Sequence, residues 1–287
     1  MNFWQVTTNH FCTKILFRSN DDFKVAMNYV AVVKHVTGVN ILAFILMSNH
    51  VHFVLECGTR EEALDFINRF KGIYSRYLLR KYGFSEFIRR NKVDIKPLWL
   101  DDDSLLNSIA YILMNSVGAR LCVYATDYPW GSAPVYFRTG SVKGRSVGTM
   151  SERARERALR SCVPLPPEWT LLDEGYVDPL NYVAVGFVEK LYRTPTRLKY
   201  YFDKSSKANS RLEPWDSAPS FSDQTVAAGV VDLKRTMFQK RENDTLSSEQ
   251  NRELAKQIRR RFGTDVNQLC RVTGLSYEAA VEIFDSM

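Results

Sequence analysis

Val39-Asn40-Ile41-Leu42-Ala43-Phe44-Ile45-Leu46-Met47-Ser48-Asn49-His50-Val51-His52-Phe53-Val54-Leu55-Glu56 is the stretch on which the fold turns. Val39 to Met47 is almost continuously apolar and rich in strand formers, the pattern of a central strand buried on both faces. Ser48 and Asn49 favour a turn, and His50 to Glu56 alternates polar with apolar as the second arm of a hairpin does. In a strand, successive side chains point to opposite faces. His50 and His52 therefore share one face, while Val51 points the other way into a core. Two imidazoles converging from one strand can hold a divalent cation and leave positions open for phosphate and water. The alternative is two polar side chains on a solvated sheet face.

Working outward, Phe3–Thr8 and Thr13–Phe17 read as short strands or extended pieces. Asn20-Asp21-Asp22 can cap a helix over Phe23–Val36, which Gly38 ends. Downstream of the hairpin, Thr59-Arg60-Glu61-Glu62 has a capping-box pattern and starts a long helix reaching about Tyr82. Val93–Leu100 is a further strand, made an edge or bulged strand by Pro97. Asp101-Asp102-Asp103-Ser104 caps a helix over Leu105–Val117, on which Tyr111 and Asn115 are four apart and so share a face. A phenol there can attack a phosphodiester, and Asn115 can offer its carbonyl oxygen to a metal; by itself, Tyr111 is more often a core-edge tyrosine. The order β(β)αββαβα predicts an α+β, ferredoxin-like antiparallel sheet sandwich.

Composition and charge bound the function. The 287 residues are 45% hydrophobic and 25% charged, which suits a globular chain with a sizeable core. No apolar run approaches the roughly 18 residues that span a bilayer. Met1–Gln5 lack the basic and apolar regions of a secretory signal, so a cytoplasmic, nucleoid-associated location is expected. Five scattered cysteines without a CxxC pair argue against a disulfide framework and a thiolate zinc site. The net charge is +7. Between Arg69 and Lys92 stand Arg69, Lys71, Arg76, Arg80, Lys81, Arg89, Arg90 and Lys92 against Glu86 alone, so this stretch carries the whole excess. Phe70, Tyr74, Tyr77, Tyr82, Phe84 and Phe87 interleave with it. Cations neutralise phosphates and aromatics stack on unpaired bases, so the segment predicts a nucleic-acid surface; otherwise it is a solvated cationic face.

Beyond the first domain, 1–137, the pattern weakens. Residues 138–167 are rich in Gly, Ser, Arg and Pro and read as a linker with one polar helix, Ser151–Leu159. Residues 168–223 are poorly defined, with a polar linker over Asp203–Asp223. Residues 224–287 read as a helical module: Ser247–Phe262, Asp265–Val272 and Tyr277–Phe284, with a Gly-containing turn before the last. This is either a helix-turn-helix, with Arg259, Arg260, Arg261 and Arg271 as phosphate partners, or a packing module.

Taken together, these passages resemble single-tyrosine HUH nucleases of the single-strand transposase type, in particular the REP-associated tyrosine transposases. Val6-Thr7-Thr8 resembles the family's first strand, Ile15–Phe23 its entry to the first helix, and Leu46–Leu55 its HUH strand. Ala110–Asn115 resembles the tyrosine helix, and Asp127–Ser132 the segment that closes the domain. The likeness spans about residues 3–137. It implies His50, His52 and Asn115 as ligands of Mg²⁺ or Mn²⁺ and Tyr111 as the nucleophile. It further implies a metal-dependent endonuclease and strand transferase acting on single-stranded or hairpin DNA through a 5′-phosphotyrosine, as monomer or homodimer. Ser116 and Gly118 stand where the family commonly has proline and a basic residue, and Ser48 where it commonly has proline. The competing readings are a catalytically silent DNA-binding or regulatory protein of the same fold, and an RNA-binding protein of this topology.

Overall fold

The computed structural model describes residues 2–8, 14–83, 88, 90–212 and 221–285, with side chains described outside 206–212 and 285. Six elements build the first layer: β1 (Asn2–Thr8), α1 (Asn20–Thr37), β2 (Asn40–Met47), β3 (His50–Cys57), α2 (Arg60–Tyr82) and β4 (Val93–Leu98). The strands form one antiparallel sheet in the order β2-β3-β1-β4, the ferredoxin-like arrangement expected from the sequence. α1 starts three residues earlier than the expected Phe23, taking the Asn-Asp-Asp pattern into its first turn. Ser19 is the N-cap and forms a capping box with Asp22, and Gly38 closes the helix with φ 71°. The extended piece expected over Thr13–Phe17 forms no strand over its described residues; the amides of Leu16 and Phe17 instead donate to Ser48 O, at 2.6 and 3.2 Å.

The two faces of the sheet are used differently. Phe53 on β3 packs on Phe66 and Phe70 of α2, so α1 and α2 cover the face of the odd-numbered β3 residues. The opposite face carries His50, His52 and Val54, and there α3 (Ser104–Leu113) packs across β2, β3 and β4. Ser108 Oγ donates to Gln5 Oε1 at 2.8 Å, which fixes α3 on this face. The helix expected over Leu105–Val117 is broken at Met114 and resumes as the single turn α4 (Asn115–Gly118). Its start is capped by Asp102, whose carboxylate accepts from Ser104 N, while Asp103 adopts φ 57° and accepts from Tyr201 Oη.

Both sheet edges are blunted. β4 carries Pro97 and a Lys96–Asp94 ion pair, which suits an edge. The outer edge of β2 is covered by residues 128–136: Leu46 N donates to Trp130 O at 2.8 Å, Ser132 N donates to Phe44 O at 3.0 Å, and Tyr128 and Tyr136 donate to Leu46 O and Leu42 O. Gly131 sits against this edge so closely that a Cβ would stand 2.7 Å from Phe44 O. Gly131→Ala must push the covering segment off backbone that cannot yield. We expect a loss of about 1–3 kcal/mol in urea unfolding; an unchanged midpoint would refute this packing.

The segment 138–167, expected as a linker, is not one. Val147, Leu159 and Leu165 enter the same core as the sheet. This region contains β5 (Gly144–Ser146) and α5 (Glu152–Leu159); β5 pairs with β6 (Thr170–Leu172) just beyond it, and Asn28 of α1 accepts from Val177 N while donating to Ala158 O and Gly175 O. The middle region forms α6 (Val185–Tyr192) and α7 (Pro195–Leu212), the latter running into the stretch expected as a polar linker. Their Tyr192 and Tyr201 buttress α3 from outside, Tyr192 Oη donating to Leu106 O at 2.7 Å. Composition misses this docking because each element contributes only a few apolar residues and finds its core in partners distant in sequence.

The C-terminal helices α8 (Asp223–Phe238), α9 (Ser248–Phe262), α10 (Val266–Thr273) and α11 (Tyr277–Asp285) enclose a separate core of Val226, Val230, Leu233, Leu254, Ile258, Leu269 and Ile283. α8 has no counterpart in the sequence expectation. Two of the arginines expected as phosphate partners are turned inward. Arg271 pairs with buried Asp223, and Arg259 lies over the Phe284 ring at 3.9 Å. α11, which would be the reading helix of a helix-turn-helix, carries Glu278, Glu282 and Asp285 and no Lys or Arg. Acids there repel phosphates, so the packing-module reading fits this unit.

Candidate active site

His50 and His52 stand side by side on β3, as period two requires. They are 5% and 2% exposed, with ring centroids 4.6 Å apart and planes at 89°. Each ring is held at Nδ1. His50 Nδ1 lies 2.8 Å from Asn49 Oδ1; when Nδ1 of the neutral ring donates to that oxygen, Nε2 carries the lone pair. His52 Nδ1 lies 2.9 Å from Thr7 Oγ1. When Nδ1 donates to that hydroxyl, Nε2 is again the basic nitrogen. Thr8, the next residue of β1, accepts from Val51 N at 3.0 Å and pins the backbone between the two rings. A second hydrogen bond that orients an imidazole is a usual feature of metal-binding histidines. Thr7 and Asn49 supply it here, and their roles emerge only from the β1–β3 register and the turn geometry.

Tyr111 of α3 lies edge-on to His52, with centroids 6.1 Å apart and planes at 84°, and is 39% exposed. The packing of α3 thus brings together three residues from two distant segments. Asn115 lies just past the break at Met114. It is half-buried and donates through Nδ2 to Tyr111 O at 2.9 Å, leaving Oδ1 as the atom it can turn toward a cation. Among the described residues no group of three or more His, Cys, Asp or Glu side chains could hold a metal. Among the described residues the paired donors on β3 are the two imidazoles, with the amide oxygen of Asn115 on the neighbouring helix. That set fits a divalent cation that keeps several coordination positions for water and phosphate.

The basic helix reads differently in three dimensions. α2 packs on the sheet face opposite the histidines, so it does not border them. Lys71 is buried and donates to Asn91 O at 2.6 Å, and burial lowers its pKa. Lys81 is bound to Asp22 Oδ1 at 2.7 Å and to Tyr77 Oη at 2.9 Å. Buried Lys71 does not reach solvent, which corrects one of the eight expected contacts, whereas Lys81 is exposed but already engaged by Asp22. Arg69 forms an exposed ion pair with Asp65, Arg89 lies outside the described residues, and Arg76, Arg80, Arg90 and Lys92 are exposed. Burial raises the pKa of Tyr29 on α1, and the nearby charges of Arg80, Arg76 and Arg160 act against it. Tyr29 Oη also donates to Arg160 O at 3.1 Å, and Arg160 is a cation the charge count did not single out.

The rival tyrosines are committed elsewhere. Tyr74 is fully buried, donates to Leu16 O at 3.0 Å and has its pKa driven up by burial. Tyr77 donates to Asp22 Oδ1 at 2.7 Å.

Residues 13–93 match the family model described as Transposase IS200 like. The match contains α1, both hairpin strands and the paired histidines, and ends before Tyr111. Over this segment the chain is similar to the IS200-like transposases. A solved structure of a REP-associated tyrosine transposase bound to a REP hairpin is similar at 13% identity, with a TM-score of 0.35, over 46% of this chain and 77% of that one. None of the curated proteins matches the chain. Among the described residues no helix is long and apolar enough to cross a membrane.

Proposed function

We propose that the chain is a divalent-metal-dependent endonuclease and strand transferase for single-stranded DNA, with Tyr111 as nucleophile. The observation that carries this reading is the pair of buried imidazoles on β3, each held at Nδ1, with the Tyr111 ring edge-on beside His52. His50 and His52, with Asn115 through Oδ1, would hold Mg²⁺ or Mn²⁺. A cation held by these residues would supply charge neutralisation at the scissile phosphate. The chain's own residues do the rest. The Tyr111 oxygen bonds to phosphorus and the bond to the 3′ oxygen breaks. The phenol proton is lost, and the released 3′ hydroxyl gains one. The 5′-phosphotyrosine conserves the energy of the broken bond, so a 3′ hydroxyl can rejoin without ATP. One tyrosine suits one cleavage at a time on an unpaired strand next to a hairpin. Imidazole donors favour Mn²⁺ over the harder Mg²⁺.

The test is covalent capture. The full chain is mixed with labelled single-stranded oligonucleotides flanking its own gene, with Mn²⁺ or Mg²⁺, and resolved on denaturing gels. An adduct that disappears with EDTA and in His50→Ala supports the reading. Tight DNA binding without an adduct on any strand refutes catalysis and leaves the silent binder.

The back-face arginines give a separate expectation. Arg76→Ala with Arg80→Ala removes two phosphate partners, so the slope of log Kobs against log salt should fall by roughly 1.4 for single strands. Lys71→Ala should leave that slope unchanged and lower stability instead. Fluorescence anisotropy over a salt series reads both, and an equal slope change for Lys71→Ala would refute the assignment.

A further inference from the structure

The C-terminal helical unit has a core of its own, yet it reaches the first domain through a polar clamp on the turn that precedes His50. Asp223, at the start of α8, is 3% exposed. Its carboxylate is gripped by Arg271 through Nε at 2.7 Å and Nη2 at 3.1 Å, and by Gln268 Nε2 at 3.0 Å. The same carboxylate accepts from Ser48 Oγ at 2.6 Å. Next to it, Gln224 Nε2 donates to Phe17 O at 2.5 Å, and Phe17 N is one of the two amides held by Ser48 O. Ser48 is thus fixed at its hydroxyl by the C-terminal unit and at its carbonyl by the residues leading into α1. The residue that follows, Asn49, holds His50 at Nδ1.

A buried ion pair is a poor source of stability, because desolvating two charges offsets most of their attraction; in some proteins its value lies in defining one geometry. Here the geometry it defines is that of the Ser48–Asn49 turn. We propose that Asp223, with Arg271 and Gln268 behind it, is a positioning residue for the metal centre, and that the C-terminal unit orients His50 through Ser48 and Asn49. This rests on the reading of His50 and His52 as metal ligands. It gives residues 223–273 a role in the chemistry without contact with DNA, and it makes metal affinity depend on docking of the unit.

The test uses the full chain and Mn²⁺ alone, with free Mn²⁺ followed by its electron paramagnetic resonance signal. Wild type should bind, and His50→Ala should not. Ser48→Ala should weaken binding by about ten-fold, the lower end of what loss of an orienting contact costs, while the thermal midpoint stays near wild type. Ser48→Thr, which keeps the hydroxyl, should restore affinity. The double change Asp223→Ala with Arg271→Ala removes the ion pair as a unit and should reproduce the loss seen for Ser48→Ala. Affinity within two-fold of wild type in Ser48→Ala overturns the inference while leaving the metal centre intact. So does a loss that Ser48→Thr fails to rescue. A wild-type chain that binds no Mn²⁺ refutes the metal centre itself, and the inference with it.

Discussion

Tyr111→Phe is expected to abolish the protein–DNA adduct, by at least about a thousand-fold, while DNA and Mn²⁺ binding persist. The change deletes one oxygen and keeps the ring, so the edge-on contact with His52 and the packing of α3 survive. Because Tyr111 is well exposed, its hydroxyl contributes little to stability, and the unfolding free energy should stay within about 0.5 kcal/mol. Loss of a nucleophile is a loss of the reaction path itself, which is why the effect dwarfs that of a binding residue. An adduct that survived the change would remove Tyr111 from the mechanism. Tyr74 could not replace it as the structure stands, since its hydroxyl is fully enclosed and bound to Leu16 O.

The second large effect concerns stability. Asp22 is fully buried, and its carboxylate accepts from Arg18 N, Ser19 N, Tyr77 Oη, Tyr82 Oη and Lys81 Nζ. Asp22→Ala strands a partly buried ammonium and two phenols at once. Breaking one side of such a network costs about 3–5 kcal/mol, because the partners stay desolvated. Asp22→Asn should also be damaging. Both carboxylate oxygens face donors only, so an amide NH₂ is set against N–H, O–H or ammonium whichever way it turns. Burial works to lower the pKa of Lys81, but its hydrogen bonds to Asp22 and Tyr77 outweigh that and hold it above the ordinary lysine range. Its folded-state pKa is raised, so its contribution is complete below the ordinary lysine pKa and is lost only at strongly alkaline pH. Urea unfolding followed by tryptophan fluorescence, to which Trp130 stacked on Phe23 contributes, measures the loss. A change under about 1 kcal/mol would show that the network is dispensable.

The Asp22 network explains why the basic helix misled. The run of cations and aromatics over Arg69–Lys92 is a real sequence pattern, but a pattern does not say which member faces inward. Tyr77 and Lys81, one turn apart, both turn to a carboxylate on α1, whereas Arg76 and Arg80 face solvent. Whether a lysine meets a phosphate or an aspartate depends on which helix packs beside it. Arg271, expected on DNA and found on Asp223, is the same lesson.

What the sequence by itself determined is local and periodic. The alternation through His50, Val51 and His52 placed two imidazoles on one face, and the apolar run before it made β2 central. The capping residues and glycines bounded α2 and α9 to within about a residue, and the C-terminal end of α1 likewise. These features are set by backbone geometry within a few residues, so they survive without knowledge of the partner. Only the tertiary structure decided the rest. The β1–β3 register brought Thr7 to His52, and the crossing of α3 over the sheet brought Tyr111 beside that ring from about sixty positions away. The docking of Val147, Leu159 and Leu165 turned an apparent linker into core. The C-terminal unit was delivered to Ser48 from 175 residues downstream. Such pairings depend on how whole surfaces complement one another, and no spacing in the chain encodes them.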